Sequence, residues 1–366
     1  MKRHAPDYVL LLAVLTLAGI GVVEVFSASS VTAGLRYGNP LYYLERQALW
    51  MAMGTVAMLL TMNVDYHQYK PLARSAFFFN LLLLVVVLVP GIGLERLGAR
   101  RWIGFGAAQF QPSETMKLAF VIYLASTLSR EGEAGKLRHF SRGLLPRLAL
   151  LALVFGLIML EPDMGTAMAT AGTVVVILFA AGARLGHLVA LGMAAVPALL
   201  ALIWVAPYRL RRFMSFLNPQ ADPQGSGYHI IQALYAFGSG GIFGVGLGAG
   251  KLKFGYLPEN HTDSIFAMIG EEMGFVGALV VVVLFFLVAW RGLQVALRAP
   301  DAFGSLLAVG LTATVVVQAF LNMAVITASI PFTGIPLPLV SYGGTNLLIT
   351  MAGVGLLLNV SRYSTH

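Results

Sequence analysis

Asp263 follows His261 and Thr262 directly ahead of a long apolar run, and Glu271 and Glu272 lie about two turns further into it. A carboxylate in such a place has two uses. It caps free backbone N–H groups at a helix start, where the helix dipole favours negative charge, or it is an ionisable group kept at membrane depth for function. Of Glu271 and Glu272, at least one turns inward, as an interhelical hydrogen-bond partner or as the wall of a wet cavity. Glu114 and Lys117 stand three residues apart, the spacing of an ion pair on one helix face. Arg100 and Arg101 precede Trp102 and suit either an interfacial anchor or a bidentate clamp on phosphate. Asp163, in the short Glu161-Pro162-Asp163 turn, is placed to cap the helix after it.

These groups are set in an unusually apolar chain. Of 366 residues, 58% are hydrophobic and 11% charged, with a mean hydropathy of +0.80, which excludes an ordinary soluble domain and indicates a polytopic membrane protein. Ten runs approach the length of a bilayer span: Tyr8–Phe26, Leu49–Met62, Ala76–Val89, Lys117–Leu128, Leu144–Leu160, Met164–Ala181, Leu185–Val205, Ile265–Trp290, Ala302–Ile326 and Leu337–Val360. The first follows Lys2 and Arg3 without a convincing cleavage site and reads as a retained anchor. With both termini placed inside, inner loops hold thirteen Lys and Arg, and outer loops hold only Arg36, Arg46, Arg96, Arg100 and Arg101. That asymmetry supports cytoplasmic termini. The net charge of +8 is therefore mainly a topology signal, with a secondary attraction to anionic lipid headgroups, and does not argue for nucleic acid. The absence of cysteine excludes disulfides and thiolate metal sites.

The chain reads as a single transmembrane domain, 1–366, with one irregular stretch, 206–262. It carries Arg209, Arg211 and Arg212, a polar turn and a glycine-rich centre, and is expected to form amphipathic or re-entrant pieces on the outer face, between the seventh and eighth spans. Its glycines match neither a phosphate-binding loop, since Val245 and Leu252 break that pattern, nor a dinucleotide fingerprint. In this topology four polar clusters share the outer face: Arg100 to Lys117, Glu161 to Asp163, Arg209 to Asp263, and Gly334 to Asn346. They predict an outward-facing polar cavity.

The motifs VFSASS, GARRWIGFGAAQFQPSETMKL, EPDMGTA, GYHIIQALYAFGSGGIFGVGLG, YLPENHTDSIFAMIGEEMGFVG and TGIPLPLVSYGGTNLL resemble, in order and over nearly the whole chain, those of the SEDS family (shape, elongation, division and sporulation), which comprises the FtsW, RodA and SpoVE proteins. The likeness leans to the FtsW and SpoVE branch. It implies ten transmembrane helices in the bacterial cytoplasmic membrane and peptidoglycan glycosyltransferase activity: lipid II is polymerised into β-1,4-linked glycan on the outer face, with release of undecaprenyl pyrophosphate. The family's essential acid maps onto Asp263, its Q-P-S-E-x-x-K-L pair onto Glu114 and Lys117, its R-W arginine onto Arg101, its P-D-x-G-T acid onto Asp163, and its S-Y-G-G turn onto Ser341 to Gly344, Gly343 included. Ser264 stands where the family usually has Phe, and Thr345-Asn346 where it has two serines.

The resemblance makes Asp263 the candidate base for the acceptor hydroxyl. Arg101, Lys117, and Arg209 with Arg212 are candidates to stabilise the departing pyrophosphate, and His261 and Thr262 flank the acid as substrate-binding candidates. A divalent cation, Mg or Mn, is compatible with the family, but no ligand spacing in the sequence requires one. With no S-x-x-K motif of its own, the chain is expected to work with a single-pass class B penicillin-binding protein that cross-links the product. A lipid II flippase would need polar groups at midplane and on the inner face, where the sequence is thin. A non-catalytic scaffold would leave the outer clusters without a purpose.

Overall fold

The computed structural model describes residues 4–96, 98–105, 108–130 and 133–364; Lys2 and Arg3, counted above among the inner cations, lie outside them. The chain is mainly helical. The helices are α1 (Tyr8–Tyr37), α2 (Tyr42–Asn63), α3 (Tyr69–Leu88), α4 (Pro112–Leu128), α5 (Glu133–Leu137), α6 (Leu145–Leu160), α7 (Met164–Ala180), α8 (Leu185–Val205), α9 (Pro207–Leu217), α10 (Tyr228–Gly240), α11 (Ile265–Glu272), α12 (Gly274–Leu297), α13 (Ala302–Ile326) and α14 (Gly344–Ser361). Helices occur at each of the ten expected spans, α11 and α12 together forming the eighth. Seven helical segments are both long and apolar enough to cross a membrane, and α7 is shorter.

Helix ends follow local chemistry. Asp7 accepts from Leu10 N (3.0 Å) at the start of α1, and Asp301 from Gly304 N (2.9 Å) at the start of α13. Pro112 opens α4 at a position where its missing N–H costs nothing. The last helix starts at Gly344, after the break that two prolines and a glycine pair make in the Leu337–Val360 run: Pro338 disfavours a helical Leu337, and the backbone turns at Leu339 with φ +68°. Between α3 and α4 three short strands, β1 (Leu94–Arg96), β2 (Ala99–Phe105) and β3 (Ala108–Phe110), form an antiparallel sheet in the order β1-β2-β3 that the apolar pattern does not reveal.

The core is built around α13, which packs on α4, α7 and α12, while α14 lies along α2. The termini meet at one end of the bundle, where His4 N donates to Arg362 O (2.8 Å) and Asp7 N to Ser361 Oγ (3.1 Å). The chain therefore crosses the bundle an even number of times. At the other end, residues 206–262 form α9, α10 and a glycine-rich loop that leads to Asp263. That loop passes backbone to backbone over the junction of α11 and α12: at Gly274, φ is +68°, and an added Cβ there would meet Gly244 N and lie 2.6 Å from Ile242 O. Only glycine fits both that dihedral angle and that approach.

Candidate functional site

Asp263 does not cap a helix. The residue preceding α11 is Ser264, which makes no capping bond through its side chain, and among the described residues the Asp263 carboxylate makes no hydrogen bond. Its backbone is held instead. Asn322 Nδ2, on α13, donates to Asp263 O (2.8 Å) and to Ile335 O (2.7 Å), which ties the Asp263 loop to the segment before α14. Gly334 lies against the carboxylate, since a Cβ there would stand 3.2 Å from Asp263 Oδ2.

Two guanidinium groups and two further carboxylates lie within Coulombic reach of this acid. Arg101 and Arg212 favour its ionised form, while Glu259 and Asp163 oppose it. Burial is the larger influence, and together these push the Asp263 carboxyl up to about 7. Arg212 lies over the rings of Tyr208 (5.8 Å) and Phe332 (5.2 Å), so its cation is steered by aromatic faces. His229 Nε2 is 2.8 Å from Ser264 Oγ, and its ring meets Phe332 at 4.3 Å with the planes tilted by 51°.

Arg101 reaches across from β2 to the α6–α7 turn. Its Nε donates to Glu161 O (2.9 Å), its Nη2 to Pro162 O, and its Nη1 stands 4.0 Å from Asp163 Oδ2. Asp163 caps α7 as expected, accepting from Thr166 N (3.0 Å) and Thr166 Oγ1 (3.0 Å), and it also takes a bond from Gln111 Nε2 (2.9 Å). Neighbouring Glu161 is fully buried, and its carboxyl oxygens have no partner among the described residues. Burial first, and then Asp163, push its carboxyl up to about 9 against the pull of Arg101. Arg100 instead pairs with Glu95 on the exposed sheet (3.1 Å).

Glu114 and Lys117 form the expected pair at 2.9 Å, with only 3% and 4% of the side chains exposed. Their remaining valences are filled by Gln318, which the sequence does not single out, and by Asn346, noted above as a departure from the family pattern: Lys117 Nζ donates to Gln318 Oε1 (2.6 Å), and Asn346 Nδ2 donates to Glu114 (2.8 Å). Gln318 Nε2 passes on to Pro336 O (2.9 Å). Gln318 and Asn322 are one turn apart on α13, so one face of that helix serves both the buried pair and the Asp263 loop. Two amides four residues apart in an otherwise apolar span are the signal that would have found them.

The other expected residues hold the walls. His261 packs between Tyr43 (4.4 Å) and Tyr342 (5.7 Å) and bonds Asn260, and Thr262 Oγ1 bonds Glu259 Oε2 (2.9 Å). Ser341 Oγ donates to Thr262 O (2.6 Å) and accepts from Leu337 N (2.8 Å). Gly343 precedes the first turn of α14. Arg209 is occupied by Tyr208 OH (2.9 Å) and Leu202 O (3.2 Å), so Arg212, one turn along α9, supplies the cation near Asp263. The described residues bring no three His, Asp or Glu side chains together as metal ligands.

A family model described as "Cell cycle protein", for FtsW, RodA and SpoVE, matches residues 8–366. The chain belongs to this SEDS family. Its sequence is 45% identical over 365 residues to stage V sporulation protein E of Bacillus subtilis, covering 100% of this chain and 99% of that protein. It is 44% identical over 355 residues to a probable peptidoglycan glycosyltransferase FtsW of Trichlorobacter lovleyi, covering 97% and 93%. Among solved structures it is similar to a chain from work on the structural coordination of polymerization and crosslinking by a peptidoglycan synthase complex (TM-score 0.81, 30% identity, 98% and 99% covered). It is also similar to the rod shape determining protein RodA of Thermus thermophilus (TM-score 0.71, 30% identity, 99% of each chain). The higher identities lie on the FtsW and SpoVE side, in line with the motif reading.

Proposed function

We propose that this SEDS protein is a peptidoglycan glycosyltransferase that polymerises lipid II into β-1,4-linked glycan at the outer face of the bacterial cytoplasmic membrane, in division or sporulation. The observation that carries this reading is the Asp263 carboxylate, free of hydrogen bonds and set beside two guanidinium groups at the end of the bundle opposite the chain termini. A carboxylate with its lone pairs unspent accepts a proton from the acceptor sugar hydroxyl as the glycosidic bond forms. The proton moves to Asp263, the oxygen attacks the anomeric carbon, and the bond to the pyrophosphate breaks. Arg212 and Arg101 meet the charge that gathers on undecaprenyl pyrophosphate, where fixed cations contribute most in the transition state. Lys117 is spent on Glu114 and Gln318 and braces α4 against α13 and α14, so its role is to position these elements.

A class B penicillin-binding protein is the proposed partner. A structural neighbour described in terms of coordinated polymerization and crosslinking supports that pairing. The test compares wild type with Asp263→Asn, each with and without the partner, following labelled lipid II into long glycan on a gel. Polymer from wild type and none from a monodisperse variant supports the reading. Polymer from both moves the base elsewhere, and none from wild type under any pairing favours transport of lipid II without chemistry.

A further inference from the structure

One buried charge cluster lies outside the site, between α1, α11 and the glycine-rich loop. Lys253, 4% exposed, sends its ammonium to Gly248 O (2.5 Å), Glu272 Oε1 (3.2 Å) and Ser27 Oγ (3.3 Å). Ser27 also donates to Glu272 (2.6 Å), and Gly248 N to Glu272 Oε2 (2.8 Å). Glu271 meets the same loop beside Glu272 but is spent on its backbone, accepting from Lys251 N (2.8 Å) and Leu252 N (3.4 Å).

Glu24 is the anomaly. It lies one turn from Ser27 on the same face of α1, is 1% exposed, and neither carboxyl oxygen has a partner among the described residues, yet it is within Coulombic reach of Glu272 and Lys253. Breaking or omitting the partner of a buried ionic group is costly, so an unpaired group in a native core calls for a reason. The lysine that would satisfy it belongs to a loop with left-handed dihedral angles at Gly241, Gly244, Gly246 and Gly248, which leaves the backbone room to shift. The same loop meets α1 once more, through Asn260 Nδ2 and Ala28 O (3.0 Å), three residues before Asp263.

We infer that Lys253 is a positioning residue in a two-position latch: bonded to Ser27 and Glu272 it sets the loop that presents Asp263, and Glu24 is the second acceptor to which its ammonium passes when that loop shifts. The inference rests on the reading of Asp263 given above. In the seated position the ammonium pins the loop to α1 beside Ala28; in the second it follows α1 by one turn toward the cytoplasmic end. The loop between Lys253 and Asn260 then changes its hold on Asp263, while Glu272 keeps its neutral donors, Ser27 Oγ and Gly248 N.

The test uses the full chain with its partner, lipid II polymerisation at saturating and limiting substrate, and thermal unfolding in detergent. Lys253→Met is expected to lower kcat about tenfold, the scale of a lost positioning contact, with Lys253→Arg restoring most of it. Glu24→Gln separates the latch from a bland buried carboxyl: both readings raise Tm, but only the latch also lowers kcat with KM unchanged. A Glu24→Gln protein with raised Tm and wild-type kcat overturns the inference, and this variant carries the test if Lys253→Met fails to fold. Asp263→Asn runs alongside. Full activity there would refute the site itself, whereas an inactive Asp263→Asn beside a wild-type Glu24→Gln would refute only the latch.

Discussion

If Asp263 takes the acceptor proton, the rate must follow its ionisation. Its carboxyl titrates at about 7 in the folded protein, chiefly through burial, so about half is ionised at pH 7, about a tenth at pH 6 and about a hundredth at pH 5. The acid limb of kcat/KM should therefore begin near neutrality and fall about tenfold per pH step below it. Because Glu259 and Asp163 raise this group and Arg101 and Arg212 lower it, two substitutions should move the limb in opposite directions. Glu259→Gln removes a like charge and shifts it to lower pH; Arg101→Gln removes a counter-charge and shifts it to higher pH. The folded carboxyl lies above its ordinary value of 3.8, so its ionisation costs stability as pH rises from there through about 7. Asp263→Asn should then be inactive and, above neutrality, more thermally stable than wild type. The assay is initial-rate polymerisation of labelled lipid II between pH 5 and pH 8, with melting curves on the same samples. A rate flat down to pH 5, or two variants whose limbs do not separate, would refute the assignment of Asp263 as the base.

Three further outcomes follow from the packing. Lys117→Met strands Glu114 in the core and should cost about 3–5 kcal/mol, while Lys117→Met with Glu114→Gln recovers much of it, as a double-mutant cycle in chemical unfolding would read. Glu161, raised from 4.5 to about 9, stays neutral in the folded state where the unfolded chain ionises. Stability should thus fall as pH rises across that window, and Glu161→Gln should flatten the slope of Tm against pH. Gly21→Ala would put a Cβ 2.6 Å from Val340 O and should cost about 1–3 kcal/mol. Because Ser341, next to Val340, holds Thr262 O, that variant should lose polymerisation along with Tm.

What could be read ahead of the structure was whatever the chain declares locally. Apolar runs mark the helices, the i and i+3 spacing pairs Glu114 with Lys117, and a short acidic turn puts Asp163 at the start of α7. Local sequence left Asp263 open between a helix cap and a functional acid; its carboxylate is unspent because the turn from Glu259 to Ser264 closes on its own backbone: Thr262 N (3.2 Å) and Ser264 N (3.1 Å) both donate to Glu259 O. Hydropathy alone carries the last span back to Leu337, but the prolines and glycine pair between Gly334 and Asn346 mark the break that delays α14 to Gly344. Contacts that depend on the tertiary fold had no local trace: Lys117 meets Gln318 across 201 residues and Ser27 meets Glu272 across 245.

The departures from the family pattern are not idle substitutions. Asn346, in place of a serine, is long enough to reach the buried Glu114. Ser264, in place of a phenylalanine, is small and polar enough to join His229 to Pro258 O (3.0 Å). Both replacements add a side-chain hydrogen bond to a buried polar network. In a core where an unmade bond costs more than a made one returns, each such residue fixes the position of its neighbours. The walls of the Asp263 site are thus held rigid through Asn322, Ser341 and Ser264 while its carboxylate is left without a bond. A general base needs that division of labour: the backbone around it held in place, and the reacting carboxylate kept free for substrate.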